Sequence, residues 1–569
     1  MARSAGNSTL ARLFDVLGDD AAAAREWVTE PHRLIAANEL LGTDPEPPAA
    51  DDPEAIRTVG VIGGGTAGYF TALALKAKRP WLDVSLVESR DIPIIGVGEA
   101  SVSYLVMFLH HYLGIDAAEF YQRVRPTWKL GIKFEWGTRP EGFVAPFDWG
   151  TGSVGLVGSL RETGNVNEAT LEAMLMTEDR VPVYRGEDGR HVSLLKYLPF
   201  AYHMDNARLV RYLTELAERR GVRHVDATVA EVRLAGPDRV GELVTTDGRR
   251  LRYDFYVDCT GFRSLLLEKA LGTPFESYAS SLFTDSAVTG VRAHGGHIKP
   301  YTTATTMNAG WCWTIPTPEE DHLGYVFSSA AIDPDEAAAE MARRFPGVTR
   351  DALVRFRSGR HRDAWRGNVM AVGNSYAFVE PLESSGLLMI ATAVQILLRL
   401  LPVSGRDPIP AEMANRALAH RWDAIRWFLS IHYKFNGRLD TPFWKEARTN
   451  TDISGMEPLL RLFQSGAPLT ARDPFTRYLA DGAAPLFYGL EGVDTMLLGQ
   501  GVPARLLPPR EPREQWQARA AAARCLAKRG LPQREALDAY AADPCLNAEL
   551  LSDEDSWASE RVARQAGLI

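Results

Sequence analysis

The chain has 569 residues, of which 46% are hydrophobic and 24% charged, and it carries a formal net charge of −9. Such a composition belongs to a globular protein with a substantial core, and its acidic balance excludes the basic footprint of a general nucleic-acid binder. The cysteines, Cys259, Cys312, Cys525 and Cys545, are widely spaced and form no CxxC pair, so neither a metal site nor a disulfide framework is predicted.

Residues 1–57 read as an appendage. Ser8 is placed to cap a helix carrying Leu10, Leu13, Phe14 and Leu17 at helical spacing, and a second helical stretch breaks near Pro31. The acidic, Pro-rich run "TDPEPPAADDPEAIR" then predicts an extended linker. No apolar h-region opens the chain and no run of about 18 apolar residues occurs, so neither a signal peptide nor a membrane helix is predicted. A cytoplasmic, reducing setting is expected.

From Thr58 the texture changes. "TVGVIGGGTAGYFTALALKAKRP" is a strand, a glycine turn and a helix, and "LDVSLVES" is a second strand. This order opens a doubly wound parallel sheet, and the fold class is expected to be α/β. Further on, "NARLVRYLTELAERRGV" is an amphipathic helix that leads into strands, and an Asp247-Gly248 turn separates two more. The organisation expected is a helical extension over 1–57, a dinucleotide-binding domain with inserted substrate strands over 58–400, and a helical lid region over 401–569.

Gly63, Gly65 and Gly68 form G-x-G-x-x-G directly after the first strand, and Glu88 follows Gly68 by 20 residues at the end of the second. The first glycine makes the turn, the second lets backbone approach a pyrophosphate, and the third lets the helix pack on the strand. The helix N-terminus at Thr66 and Ala67 faces the phosphates, and Glu88 is placed to accept ribose hydroxyls. Only one such fingerprint is present. "YDFYVDCTGFRS" (Asp258, Gly261) and "GNVMAVGNSYAFVEP" (Gly373) resemble later FAD-contacting segments of flavoprotein monooxygenase-like folds, which favours FAD, and no separate nicotinamide site is visible, which implies a partner reductase.

"GWCWTIP" (Gly310 to Pro316), "GVGEAS" (Gly96 to Ser101), "KLGIKF" (Lys129 to Phe134), "DTPFW" (Asp440 to Trp444) and "FVEPLESSG" (Phe378 to Gly386) are further recognisable stretches. Together with "GGGTAGY" they resemble the motifs of the flavin-dependent tryptophan halogenases, in content and in chain order, over about residues 58–500. The resemblance implies that reduced FAD and O₂ oxidise chloride to hypochlorous acid, which a lysine hands on to an indole. Lys129 holds the lysine position, and flanking Trp128, Ile132 and Phe134 predict an apolar wall that lowers its pKa.

The resemblance further implies that Glu383 faces the indole, stabilises ring charge and assists proton loss. It places Ser384 near Lys129, and chloride on the backbone of Ser385 and Gly386. Val97, Glu99, Ala100, Val229, Gly373 and Leu387 join the flavin site. Trp311 and Trp313 shape the wall between flavin and substrate, and Phe143 and Phe147 line the substrate pocket. Glu380 receives a structural or flavin-side role.

One departure bears on the substrate. Free-tryptophan halogenases carry an aromatic, acid-containing segment of the type Y-Y-E…F-W near the C-terminal lid, which grips the amino acid's ammonium and carboxylate. Here the region reads "SGAPLTARDPFTRYLADGAAPLFYGLEGV" and lacks that cluster, and Ala145 stands where a ring-stacking His is expected. The expectation is therefore a tryptophan within a peptide or a larger indole compound, as for the lanthipeptide tryptophan halogenases. Halogenation of free L-tryptophan and hydroxylation by a flavin monooxygenase are the competing outcomes. A flavin reductase and a homo-oligomeric assembly are the expected partners.

Overall fold

The computed structural model describes residues 46–90, 92, 98–147, 166–168, 170–405, 407–467, 469–470, 489–505, 512–543, 546, 550–552 and 556–565. The N-terminal helices expected around Leu10 to Leu41 lie outside them, as do Val97, Cys545 and most of the lid segment. The chain divides into two compact units, Met1–Pro47 and Pro48–Ile569, and the second carries every sheet and helix described below.

A six-stranded sheet runs in the order Arg223–Asp226, Asp83–Glu88, Thr58–Ile62, Phe255–Asp258, Val369–Ala371, Trp365–Arg366. The first five strands are parallel and the last is an antiparallel edge. Val59, Val61, Val84, Leu86 and Val257 are fully buried, as unbroken apolar strands covered on both faces must be. The helix Thr66–Lys78 fills the crossover, and the helices Asn206–Arg219 and Ser385–Leu400 both pack against it. This is the α/β doubly wound sheet that the strand–turn–helix–strand order predicts.

A second, seven-stranded sheet has the order Thr349–Arg355, Ser286–Ala293, Glu320–Phe327, Gly310–Pro316, Thr302–Met307, Gly131–Glu135, Phe143–Pro146. The W-x-W-x-I-P box is thus a central strand, and all seven of its residues are buried. A small antiparallel sheet joins Gly98–Ala100, Ala201–Asp205 and Thr127–Lys129. The chain leaves it at Lys129 and enters the large sheet at Gly131. A side chain at Gly131 would meet the Ala145 carbonyl oxygen at 2.2 Å, so only glycine permits this close passage.

The 27-residue helix Ile409–Phe435 lies against the helix Ser385–Leu400, and His432 and Tyr433 in its last turn are buried. Among the described residues no helix is long and apolar enough to cross a membrane. None of their His, Cys, Asp and Glu groups is arranged to hold a metal ion. Cys259 and Cys312 are free and buried, and Cys525 is free and exposed.

Candidate active site

The glycine turn makes a cradle that fits a dinucleotide. Gly63 has φ +114°, and a Cβ there would strike the Cys259 carbonyl oxygen at 2.2 Å. One on Gly68 would strike the Gly63 carbonyl oxygen at 1.9 Å, whereas one on Gly65 would meet nothing within 4 Å. Two glycines are therefore fixed by packing, and the third leaves open space before the N–H groups that begin the helix Thr66–Lys78. No side chain caps that helix end, which leaves its donors and positive dipole end for phosphate.

Glu88 Oε1 accepts from the Tyr69 hydroxyl at 2.7 Å and contacts His224 Nε2 at 2.6 Å. These bonds hold the carboxylate at the rim of the turn, beside Gly64. Gly373, with φ +73°, lies over Ala67. Val229 is partly buried against the apolar cluster that includes Ile62 and Val87 at the ends of the first two strands. Thus the glycines, Thr66, Ala67, Glu88, Val229 and Gly373 meet at the C-terminal edge of the sheet, where ligands of open α/β folds bind. Glu99 and Ala100 lie on the small sheet, where dehydration pushes the Glu99 carboxyl up to about 7. Leu387, expected at the flavin site, has its side chain buried in the core, so only its backbone could serve a cofactor.

The helix Ser385–Leu400 connects this cradle to a second place. Its body packs on the fingerprint helix, and its N-terminus begins at Ser385 and Gly386. The N-cap Ser384 is left-handed, at φ 57° and ψ 35°, and its side chain makes no cap bond. A left-handed serine is strained by roughly 1–2 kcal/mol, and here the strained turn gives its hydroxyl a different partner. Lys129 Nζ donates to Ser384 Oγ at 2.7 Å and to the Ser101 carbonyl at 2.9 Å.

Lys129 is fully buried. Dehydration lowers its pKa to about 7, and the nearby Glu383 partly opposes that shift. A neutral amine has two hydrogens. If both are held by Ser101 and Ser384, the nitrogen lone pair remains for an electrophile. The Phe147 ring lies 5.3 Å from Nζ, and Phe134 packs on His432 at 5.5 Å. Trp128, expected in the same wall, is the adjacent residue on the strand and turns to its other side, where its indole N–H donates to the Tyr121 hydroxyl at 2.8 Å and its ring meets Tyr540. Phe143 stacks on Phe134 at 5.2 Å, one layer further out.

The two glutamates of "FVEPLESSG" are read by two successive residues of the long helix. Glu380 accepts from the Tyr433 hydroxyl at 2.5 Å and from the Thr284 hydroxyl. Burial pushes its carboxyl up to about 6, while these bonds and Trp311 oppose the shift. Glu383 Oε1 instead lies 2.7 Å from His432 Nε2. So Glu380 is tied into the framework, and Glu383 is the carboxylate that interacts electrostatically with Lys129. The structure brings Lys129, Glu383 and Ser384 into one buried site, with Ser385 and Gly386 at the adjoining helix end. Gly386 is exposed, and a Cβ there would meet nothing within 4 Å. Trp311 and Trp313 are buried side by side at 6.1 Å.

Sequence reasoning missed His432, Tyr433, Thr284 and the Ser101 carbonyl. The signal available was "IHYKFNGRLDTPFW", a His-Tyr pair at the end of an apolar helix just ahead of a recognised motif.

Comparison with known proteins agrees with this architecture. The model of the family described as tryptophan halogenase matches residues 58–510. The 7-chloro-L-tryptophan 6-halogenase KtzR of Kutzneria sp. (strain 744) is 34% identical over 512 residues, covering 84% of this chain and 94% of that protein. The crystal structure of MibH, described as a lathipeptide tryptophan 5-halogenase, is 88% identical with a TM-score of 0.89, covering 91% of this chain and 100% of that one. Tar14, a tryptophan C-6 flavin-dependent halogenase from taromycin biosynthesis, is 31% identical with a TM-score of 0.76, covering 86% and 100%.

Proposed function

Since this chain belongs to the tryptophan halogenase family, we propose that it is a peptide-acting member that chlorinates C5 of a tryptophan indole within a lanthipeptide. The observation that carries the chemistry is the buried pairing of a low-pKa lysine with a glutamate held by the same turn. Support for the substrate and ring position comes from the 88% identity to a lathipeptide tryptophan 5-halogenase. The missing zwitterion clamp in the lid segment points the same way.

FAD reduced by a separate reductase would, when bound, supply the two electrons with which O₂, as oxidant, takes chloride to hypochlorous acid and water. The residues that would hold it are Gly63, Gly65, Thr66, Ala67, Gly68, Glu88 and Gly373, with the backbone of Ser385 and Gly386 presenting N–H donors to chloride. The chain's own part is transfer. Neutral Lys129 receives the electrophilic chlorine, by hydrogen bond or as a chloramine, and holds it close to the indole. Glu383 stabilises the positive charge that develops on the ring and takes the proton from the carbon that gains chlorine. Trp311 and Trp313 keep the substrate apart from the flavin, and Phe143 and Phe147 bound its pocket.

The test compares saturable turnover of free L-tryptophan with that of a lanthionine-bridged tryptophan peptide, with reductase, NADH, FAD and chloride present. The reading expects kcat/KM at least about a hundredfold higher for the peptide, with chlorine at C5 by NMR. Efficient turnover of the free amino acid alone would reject the peptide substrate, and an added oxygen in place of chlorine would reject halogenation. NADH without reductase is expected to give no product.

A further inference from the structure

His432 is completely buried, and both of its ring nitrogens face oxygen. Nδ1 lies 3.0 Å from the Phe428 carbonyl, which only accepts, so Nδ1 carries a hydrogen. Nε2 lies 2.7 Å from Glu383 Oε1. An imidazole protonated on Nδ1 alone would turn a lone pair toward a carboxylate lone pair at that distance, buried among the rings of Phe134 and Phe428 at 5.5 and 5.1 Å. A proton therefore lies between Nε2 and Oε1. The other titratable groups near this pair, among the described residues, are Lys129, which faces Glu383, and Glu380, which His432 influences and whose own bond goes to Tyr433.

We propose that His432 is a positioning residue for halogen transfer: through one shared proton it fixes the Glu383 carboxyl and keeps it able to receive the proton of the indole carbon. This rests on the role given to Glu383 above. Hypochlorous acid first chlorinates the neutral Lys129 amine, its hydroxyl leaving as water with the displaced N–H proton. In the step itself the ring π pair forms the carbon–chlorine bond while the nitrogen–chlorine bond breaks with its pair to nitrogen, which regains a proton by way of Glu383. The ring proton passes to Glu383 and the C–H pair restores aromaticity, so the sum is HOCl plus Ar–H giving Ar–Cl plus water. With the shared proton in place, the carboxyl that accepts the ring proton is already oriented and charge-compensated, and the extra proton is spread over two groups.

Three variants of the full chain test this: Glu383→Gln, His432→Gln and His432→Phe. Gln at 432 keeps a donor near Oε1 without a titrating proton, and Phe keeps only the ring shape. We expect His432→Phe to lower kcat about thirtyfold or more on a tryptophan peptide that the wild type chlorinates, with KM within about twofold. Hypochlorous acid caught by a chemical trap should rise as product falls. His432→Gln should retain more of kcat than His432→Phe, but with a pH–rate profile altered from the wild type. Independently of turnover, the flavin-free protein labelled with ¹⁵N-histidine should show a strongly deshielded ring N–H proton that is absent from both Glu383→Gln and His432→Gln, while any signal from His224 on Glu88 persists in both. Wild-type kcat and pH profile in both His432 variants, or that proton persisting in Glu383→Gln, would overturn the inference. Unchanged product formation in Glu383→Gln would instead remove the underlying reading.

Discussion

The glycine cradle and the lysine site share one helix, Ser385–Leu400, yet they are built on different physics. The cradle is local. Thirteen residues of helix come after a turn whose shape Gly63 and Gly68 fix by backbone contact. Its donors are main-chain N–H groups, and side chains matter mostly by being absent. The lysine site is non-local. Lys129 comes from a three-residue strand, Ser101 from beyond another, Glu383 and Ser384 from a strained turn, and His432 from the end of a 27-residue helix. Every functional atom there is a buried charge or its direct partner. The contrast predicts that the cradle tolerates side-chain change wherever backbone is spared, whereas the lysine site should lose function with very small chemical edits and gain stability from some of them.

The sharpest contrast is Lys129→Met. Chlorinated product should fall by about a thousandfold or more, because the group that receives chlorine is gone. The melting temperature should rise, since an ammonium in a dry site is replaced by a thioether. Because the folded lysine has its pKa lowered to about 7, the wild-type protein bears the full burden of the buried charge below that pH. It regains none of that loss by further acidification; its deficit is largest below pH 7, where both states are protonated only at the cost of charging the buried amine. Between about 7 and the ordinary lysine value the unfolded chain alone keeps the proton, and the folded state is stripped of the charge. The advantage of Lys129→Met should therefore be measured by thermal melts at pH 6, where a loss of stability would break the comparison.

Glu383→Gln is expected to lower kcat about a hundredfold, while Glu380→Gln leaves kcat within about fivefold. Glu380 holds the framework through Tyr433 and Thr284, and Gln can keep one of those bonds. Equal loss in the two variants would erase the division of labour between the glutamates.

In the cradle, Gly65→Ala should weaken flavin binding about tenfold to a hundredfold with little change in melting temperature, because its Cβ enters open space that a bound cofactor's phosphates would need. Gly68→Ala should do the reverse in kind and lower the melting temperature first, because its Cβ meets backbone. Fluorescence titration with FAD beside a thermal melt separates the two.

Single-turnover halogen transfer should also rise with pH through about 7 and fall roughly tenfold per unit below it, since only the neutral amine of Lys129 accepts chlorine. The smallest effect is expected from Ser384→Gly. It relieves the left-handed strain but removes the hydroxyl that orients Lys129, for a loss in kcat of roughly a few-fold.

Legibility in the sequence runs along the same divide. The cradle was legible from spacing alone, because strand, turn and helix are consecutive and each glycine answers to a neighbour. Lys129 and Glu383 were legible only through the resemblance of their motifs. By themselves, a lysine in an apolar run and a glutamate before two serines carry no sign of meeting. His432 was marked only by its place just ahead of a recognised motif, which names no role. A histidine between isoleucine and tyrosine on a helix reads as core, and it acquires a partner only when the long helix packs against the turn at 380–384. Ser384 stands at the N-cap, but its hydroxyl serves Lys129 and no helix N–H, as the resemblance implied.

The central claim is that oxidant is made in one place and used in another, with Lys129 as the link. The direct measurement runs wild type and Lys129→Met side by side with reductase, chloride and a tryptophan peptide, quantifying chlorinated peptide and trapped hypochlorous acid together. The account predicts that the variant still oxidises chloride, with hypochlorous acid appearing in the trap while chlorinated peptide all but disappears. Chlorinated peptide formed by Lys129→Met at the wild-type rate would contradict it.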